Sequence, residues 1–293
     1  MPITALDLPD GRVLELAVTG PADGPVLVMH HGTPGSLVRS RVVEDAAHRR
    51  GLRLATFNRA GYGGSTRQPG RSVADAAADV EAVLDHLGAQ RCLTLGASGG
   101  GPHALACAAL LPGRVAAAAS IAGVGPYGVA DLDFLAGMGE DNIEEFGHAV
   151  AGEQELRAAL EPVAPLLRDA KAQDLTELMG GLLPEADRAC LASGPNGEDL
   201  AAQFKESLRT GISGWLDDDL AFVRPWGFSL DAIAVPVFVW QGDQDLMVPF
   251  AHGRWLIDHV PGAAARLKPG EGHLSVFLNR ADEILGELVA ALG

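Results

Sequence analysis

Leu93-Thr94-Leu95-Gly96-Ala97-Ser98-Gly99-Gly100-Gly101 sets a serine among glycines at the end of an apolar run. Arg91 to Gly96 alternates in the manner of a short buried strand, with Cys92, Leu93 and Leu95 as its apolar members. His103 to Leu111 is rich in alanine and leucine and predicts a helix, ended by Pro112-Gly113. The serine therefore falls on a strand-to-helix turn. Such a turn strains the backbone at its apex, and glycines on both sides keep neighbouring side chains out of the way. The hydroxyl then projects from the sheet edge, beside a helix N-terminus that favours developing negative charge. A G-x-S-x-G match alone is weak, and an ordinary glycine-rich turn with a capping serine has the same letters. What separates the two is whether the rest of the chain supplies a base and an acid.

Reading outward, strand and helix patterns alternate. Ile3–Leu8 and Arg12–Val18 flank the turn Pro9-Asp10-Gly11, and Pro25–Met29 is a continuous apolar strand ending in His30-His31-Gly32. Leu37–Arg50 predicts a helix stopped by Gly51, and Arg53–Phe57 another strand. Ser72 and Asp75 form a capping box ahead of an apolar stripe at Val73, Ala76, Ala77, Val80, Val83, Leu84 and Leu87. Val115–Ile121 follows the serine helix as a strand. Alternation of this kind implies a parallel sheet covered on both faces. From about Gly125 to Ile233 no strand pattern is evident. Helical pieces take its place at Leu132–Met138, Glu144–Val150, Glu153–Leu160, Leu166–Met179, Pro184–Ala192 and Leu200–Leu208. Strands resume at Val235–Trp240 and Ala264–Leu267, with helices at Phe250–His259 and Ala281–Leu292. An all-helical block inserted into an α/β frame reads as a cap over the sheet's C-terminal edge, where open parallel sheets carry their sites. The expected division is 1–125 and 234–293 for the α/β core and 126–233 for the cap.

At 293 residues, 47% hydrophobic and 20% charged, the chain can bury a sizeable core. A net charge of -16 makes nucleic acid and anionic membrane surfaces poor partners. The start, MPITALDLPDG, lacks the basic and apolar regions of a signal peptide, and no apolar run approaches the roughly 18 residues of a membrane span. Cys92, Cys107 and Cys190 lack metal-ligand spacing and read as small buried residues, so a cytoplasmic location is expected. No metal is called for, and self-association is left open.

A serine needs a base within hydrogen-bond reach, and the base needs an orienting group. His273 stands out among nine histidines because it lies in Pro269-Gly270-Glu271-Gly272-His273, a flexible loop after the last short strand. His103 lies one to two turns down the serine helix, directed away from the hydroxyl, and reads as packing or solvent-facing. His48, His86, His148, His252 and His259 fall in helical patterns and read as surface residues. The acid should follow a strand, and Val235–Trp240 runs into Gln241-Gly242-Asp243-Gln244-Asp245-Leu246-Met247-Val248-Pro249, where Asp243 and Asp245 both qualify. Either could also be a turn carboxylate bonding its own backbone.

With serine, acid and histidine in that order, the sequence resembles a capped α/β-hydrolase of the serine esterase and lactonase type over nearly its whole length. The resemblance implies a mostly parallel eight-stranded sheet flanked by helices, with an inserted helical cap. The family's G-x-x-D-x-x-V-P pattern matches Gly242 to Pro249 and places the acid at Asp245. Its oxyanion loop, H-G-x-P-G, matches His31-Gly32-Thr33-Pro34-Gly35 and implies that the Thr33 and Gly99 N–H groups form the oxyanion hole, with the Thr33 hydroxyl as a third contact. His30 and His31 then read as loop scaffolding. Asn58-Arg59-Ala60-Gly61-Tyr62-Gly63-Gly64-Ser65 resembles the family's D-x-x-G-x-G-x-S loop and departs from it at Asn58.

The resemblance implies hydrolysis of a carboxylic ester or lactone of a small, partly apolar substrate through a Ser98-His273-Asp245 triad, without a cofactor. Haloalkane dehalogenases and epoxide hydrolases resemble this fold but carry aspartate at the elbow, and epoxide hydrolases add cap tyrosines. Only Tyr62 and Tyr127 occur here. Near the end of the cap, Trp215 and Trp226 either line an apolar pocket or, more commonly for such residues, anchor the cap on the core. Arg224 is a candidate for holding a substrate carboxylate, and Asp217-Asp218-Asp219 reads as a solvated face. Two other readings use the same residues: hydrolysis of a C–C bond in ring-fission products, and non-enzymatic binding of a small molecule.

Overall fold

The computed structural model describes residues 2–292. One sheet contains β1 (Thr4–Asp7), β2 (Val13–Thr19), β3 (Val26–His30), β4 (Arg53–Phe57), β5 (Cys92–Ala97), β6 (Val115–Ile121), β7 (Val237–Gly242) and β8 (Ala264–Lys268). Their spatial order is β1-β2-β4-β3-β5-β6-β7-β8. β2 is antiparallel to β1 and β4, and all other neighbours are parallel. The chain leaves β3 for β4 on one side and returns to β5 on the other. The loops after β3 and β5 therefore part at a topological switch point, where open α/β sheets bind their ligands.

The continuous apolar strands divide their side chains between two cores. Val26 and Val28 face one side of β3, with α2 (Ala76–Leu87), α3 (Gly100–Leu110) and α10 (Phe250–His259) packed there. Leu27 and Met29 face the other, against α1 (Arg41–Arg49), α11 (Ser275–Leu278) and α12 (Ala281–Ala290). Helix α3 buries residues all round, as its uniform alanine and leucine content requires. The capping box at Ser72 and Asp75 forms, with the Ser72 N–H donating to Asp75 at 2.7 Å, and opens a short 3₁₀ turn that leads into α2. Helix α1 starts at Arg41, later than Leu37. The Leu37 N–H is taken by the Asn58 side chain at 2.8 Å and the Val38 N–H by the Ser36 hydroxyl at 3.3 Å, which hold the preceding turn out of the helix.

Between Ile121 and Val237 the described residues contain helices and loops only: α4 (Glu140–Ala151), α5 (Glu153–Asp169), α6 (Leu175–Leu178), α7 (Glu185–Leu191), α8 (Asn196–Ser207) and α9 (Ser213–Phe222). Leu132–Met138 is loop, against expectation. Helix α5 continues through Pro162 and Pro165, where a break was expected after Leu160. Both prolines sit on its exposed side while Leu156, Leu160 and Ala164 are buried, so water can solvate the carbonyls that lose their N–H partners. Cys92, Cys107 and Cys190 are free and buried. Among the described residues no helix is long and apolar enough to cross a membrane.

Candidate active site

Ser98 occupies the turn between β5 and α3 with φ +54, in the left-handed region that L residues rarely adopt. Its N–H donates to the Ile121 carbonyl at 2.8 Å, and its carbonyl accepts from Gly101 at 2.8 Å, which pins the turn from both sides. A Cβ on Gly96 would collide with the Gly100 carbonyl, so the tight reversal requires glycine there. A Cβ on Gly99 would meet the Thr33 side chain, and one on Gly32 would lie 3.4 Å from Ser98 Cβ. The loop after β3 is thereby packed directly on the serine turn.

His273 follows β8 and is buried. Its Nδ1 lies 2.8 Å from Asp245 Oδ2. Asp245 Oδ1 accepts from the N–H groups of Met247 and Val248, each at 2.9 Å, and Oδ2 also accepts from Gln241 Nε2 at 3.0 Å. With its acid so held, Nδ1 donates, and Nε2 is left as the imidazole's basic nitrogen. Burial disfavours the imidazolium, but the charge of Asp245, its hydrogen bond and the charge of Asp187 together outweigh burial and raise the His273 pKa. Asp243 is placed otherwise: its Oδ1 accepts from the Gly270 N–H at 2.8 Å and from Gln244, a turn carboxylate's role.

Ser98, His273, Thr33 and Gly99 all line one cavity of about 500 Å³, within the range of small-molecule sites. Its far walls come from the helical insertion, including Phe146, Leu160, Trp215 and Phe222. Among the described residues its lining contains no lysine or arginine. Trp215 donates from Nε1 to Glu145 at 2.8 Å. Glu145 and Asp219 also line the cavity, side by side; burial raises both pKa values, and for Asp219 the neighbouring Glu145 raises it further.

Beneath the loop after β3 lies a buried ionic network. Asp218 Oδ2 accepts from the Thr33 hydroxyl at 2.7 Å, Tyr62 OH at 2.7 Å and Arg59 at 2.6 Å, while Arg71 lies 2.7 Å from Oδ1. Burial opposes its charge, but the two guanidiniums prevail and hold Asp218 well below the usual carboxylate range. His31 is fixed in the same frame: its Nε2 accepts from the Arg59 N–H at 3.2 Å, so Nδ1 carries the proton and donates to the Gly32 carbonyl at 2.7 Å. His103 is buried and donates from Nδ1 to the Gly99 carbonyl at 2.7 Å. Asn58 is also buried, bridging Leu37 and Glu15.

Several sequence expectations require correction. The run Asp217-Asp218-Asp219 is buried, because α9 carries apolar residues all round, Asp217 and Asp218 pair with Arg67 and Arg59, and Asp219 lies against Glu145. The Thr33 hydroxyl spends its proton on Asp218 and receives Arg59, so it is not an oxyanion donor. Arg224 is exposed and outside the cavity lining. Trp226 is outside it too, buried in the core and stacked on Phe228. His252 is buried, not superficial: its Nδ1 accepts from Gly125 at 2.9 Å, Nε2 donates to the Phe134 carbonyl at 2.9 Å, and burial brings its pKa down to about 4. Sequence reasoning also passed over Asp187, whose carboxylate meets the backbone of the His273 loop. Asp218 and Asp219 had one usable signal, acids enclosed by Trp215, Leu216, Leu220 and Phe222 at helical spacing. Asp187 had none.

The family model for the alpha/beta hydrolase fold matches residues 25–279. The chain belongs to the α/β-hydrolase fold family. An uncharacterised hydrolase of Bacillus subtilis, YcgS, is 25% identical, the match covering 90% of this chain and 89% of that protein. Epoxide hydrolase A of Mycobacterium tuberculosis is 26% identical, over 97% and 94% respectively. Esterase RhEst1 from Rhodococcus sp. superposes with a TM-score of 0.70 at 23% identity, covering 100% of both chains.

Proposed function

We propose that this α/β-hydrolase cleaves a carboxylic ester or lactone of a small, partly apolar substrate by way of an acyl-enzyme on Ser98. The observation that carries the reading is the His273–Asp245 pair at 2.8 Å, its imidazole lining the cavity that also receives Ser98 at its positive-φ turn. Ser98 Oγ attacks the carbonyl carbon as its proton passes to His273 Nε2. The resulting oxyanion lies on the N–H groups of Thr33 and Gly99. Collapse breaks the C–O bond, and Nε2 gives its proton to the departing alkoxide. Water then attacks the acyl carbon, losing a proton to Nε2, and the second collapse returns that proton to Ser98 Oγ and frees the acid. In a lactone the alcohol and the acid remain one molecule.

The helical stretch 126–233 acts as the cap and sets substrate choice. Its contribution to the cavity is mainly apolar, and the lining holds carboxylates without lysine or arginine, which disfavours substrates bearing a carboxylate. Epoxide opening fits less well. A serine attacking an epoxide makes an ether that water does not cleave, whereas an aspartate makes an ester that it does. The chain's tyrosines are also outside the cavity: Tyr62 is bound to Asp218, and Tyr127 is partly exposed.

The test is reaction with a fluorophosphonate probe, mapped by peptide mass spectrometry beside Ser98→Ala. A stoichiometric adduct on Ser98, absent in the variant, together with turnover of neutral short-chain esters or lactones, is expected. Folded protein that takes up no probe overturns the proposal and favours a binder on this fold.

A further inference from the structure

The loop that carries His273 is held from the helical insertion as well as from the sheet. Asp187, on α7, is fully buried and accepts three consecutive backbone N–H groups: His273 at 2.8 Å, Leu274 at 3.0 Å and Ser275 at 2.8 Å. Gly272 is packed so closely on this carboxylate that a Cβ there would lie 2.5 Å from Oδ2. The Gly272 N–H in turn donates to the Ser275 hydroxyl at 2.7 Å, closing the turn on itself. Without an acceptor, three adjacent amides, those of His273 and Ser275 buried and that of Leu274 half-buried, would be unsatisfied, a costly arrangement, and the turn would relax to solvate them. The insertion grips the acid loop in the same way. The Gly139 N–H donates to the Leu246 carbonyl at 2.8 Å, and Asn142 Nδ2 to the Met247 carbonyl at 3.0 Å, immediately after Asp245.

We infer that Asp187 is a positioning residue for His273, by which the helical insertion fixes the imidazole in the geometry that the Ser98 reaction needs. The inference rests on the proposed role of His273 as base. It assigns the insertion a part in building the catalytic loops as well as in covering the cavity. The negative charge of Asp187 also acts on the ring, in the same direction as that of Asp245. The other acid near the loop, Glu271, is engaged by Arg280 at 2.9 Å and by Asn279.

Asp187→Asn tests this, because the amide keeps the size but turns one donor toward the three N–H groups. The expected result is a kcat for a neutral ester lowered by about 10- to 100-fold, the cost of a small misplacement of a reacting group, with KM changed far less. The acid limb of the pH–rate profile should move to lower pH, a shift that a merely structural role would not produce. Glu185→Gln, an exposed charge removed from the same helix, should leave both unchanged. If Asp187→Asn does not fold, amide hydrogen exchange of the wild-type protein reads the latch directly: His273, Leu274 and Ser275 should be strongly protected, and fast exchange at all three overturns the inference. Unaltered kcat and acid limb in folded Asp187→Asn also overturn it. Wild-type protein that neither labels at Ser98 nor turns over ester would instead remove the functional reading on which it rests.

Discussion

Asp218 and Asp245 are both buried carboxylates near the cavity, and both are saturated with hydrogen bonds, yet their partners differ in one respect. Asp218 faces two guanidiniums, Arg59 and Arg71, whose charge is permanent. Asp245 faces His273, whose charge comes and goes with pH, while its remaining donors, Gln241 and the Met247 and Val248 amides, are uncharged. A carboxylate with fixed counter-charges makes a frame: Asp218 ties helix α9 to Thr33 and Tyr62 and so sets the loop after β3. A carboxylate with a titratable partner makes a device that can store a proton and release it. The comparison predicts that damage to Asp218 appears mainly in stability and damage to Asp245 mainly in rate.

The largest expected effect is at Asp245. In Asp245→Asn the amide oxygen can still accept from Met247 and Val248, so the loop should fold. Its NH₂ group would then face both Gln241 Nε2 and His273 Nδ1, which forces Nδ1 to accept and leaves Nε2 protonated, unable to take the Ser98 proton. Ester kcat should fall on the order of 10⁴-fold, the loss seen when a triad histidine is held in the wrong tautomer, equivalent to about 5.5 kcal/mol in the barrier. Asp243→Asn is the companion, since Asp243 only tidies a turn; its kcat should stay near wild type. If the Asp243 variant were the crippled one, the acid would be misassigned.

Next is Asp218→Ala, which strands Arg59 and Arg71 in the interior. Removing one partner of a buried ionic network costs about 3–5 kcal/mol, and urea unfolding should show it as a lowered midpoint with little change in slope. The inactive Asp245→Asn protein should unfold much closer to wild type. Equal loss of stability in the two variants would erase the distinction between frame and device.

The sequence made some of this legible and concealed the rest for physical reasons. The strands of the sheet announce themselves as buried apolar runs, and the Ser98 turn by the glycines its reversal requires. The His273 loop and the Gly242 to Pro249 loop were legible because short loops at strand ends leave few places for an acid and a base, though the choice of Asp245 over Asp243 came from the family resemblance and not from that placement. The insertion was harder. Its helices pack on the sheet and on one another, so packing overrides the local signals: α5 runs through two prolines, and Leu132–Met138, helical by pattern, is loop. Long-range polar partners were invisible in principle. Nothing near Asp187 in the chain says that residues 273–275 lie against it, and a run of three aspartates is an exposed face unless arginines from distant loops arrive to meet it. Arg224 shows the converse, a cation that looked available for a ligand and lies outside the cavity.

The smallest expected effect is also the one that separates the two carboxylates within the unmodified protein. Because the pKa of His273 is raised in the folded state, this proposed base is protonated and idle over a wider acid range. The acid limb of kcat/KM for a neutral ester should therefore have its midpoint above the ordinary histidine value of about 6.5. Stability moves the opposite way. A group whose pKa rises on folding stabilises fully below its unfolded pKa, and that contribution is lost as pH rises through the folded value. Asp218, with a depressed pKa, contributes above the unfolded carboxylate range and loses that contribution only in strong acid, as pH falls through its folded value. As pH rises from the ordinary histidine range through the raised folded value, then, turnover should climb while the His273 contribution to stability declines and the Asp218 contribution stays constant. Urea unfolding across that window, on wild type and on Asp245→Asn, isolates the first of these slopes, because replacing the carboxylate removes most of the cause. An acid limb at or below about 6.5 would mean that burial, not Asp245 and Asp187, governs the imidazole, and the contrast between a fixed and a titratable counter-charge would lose its functional side.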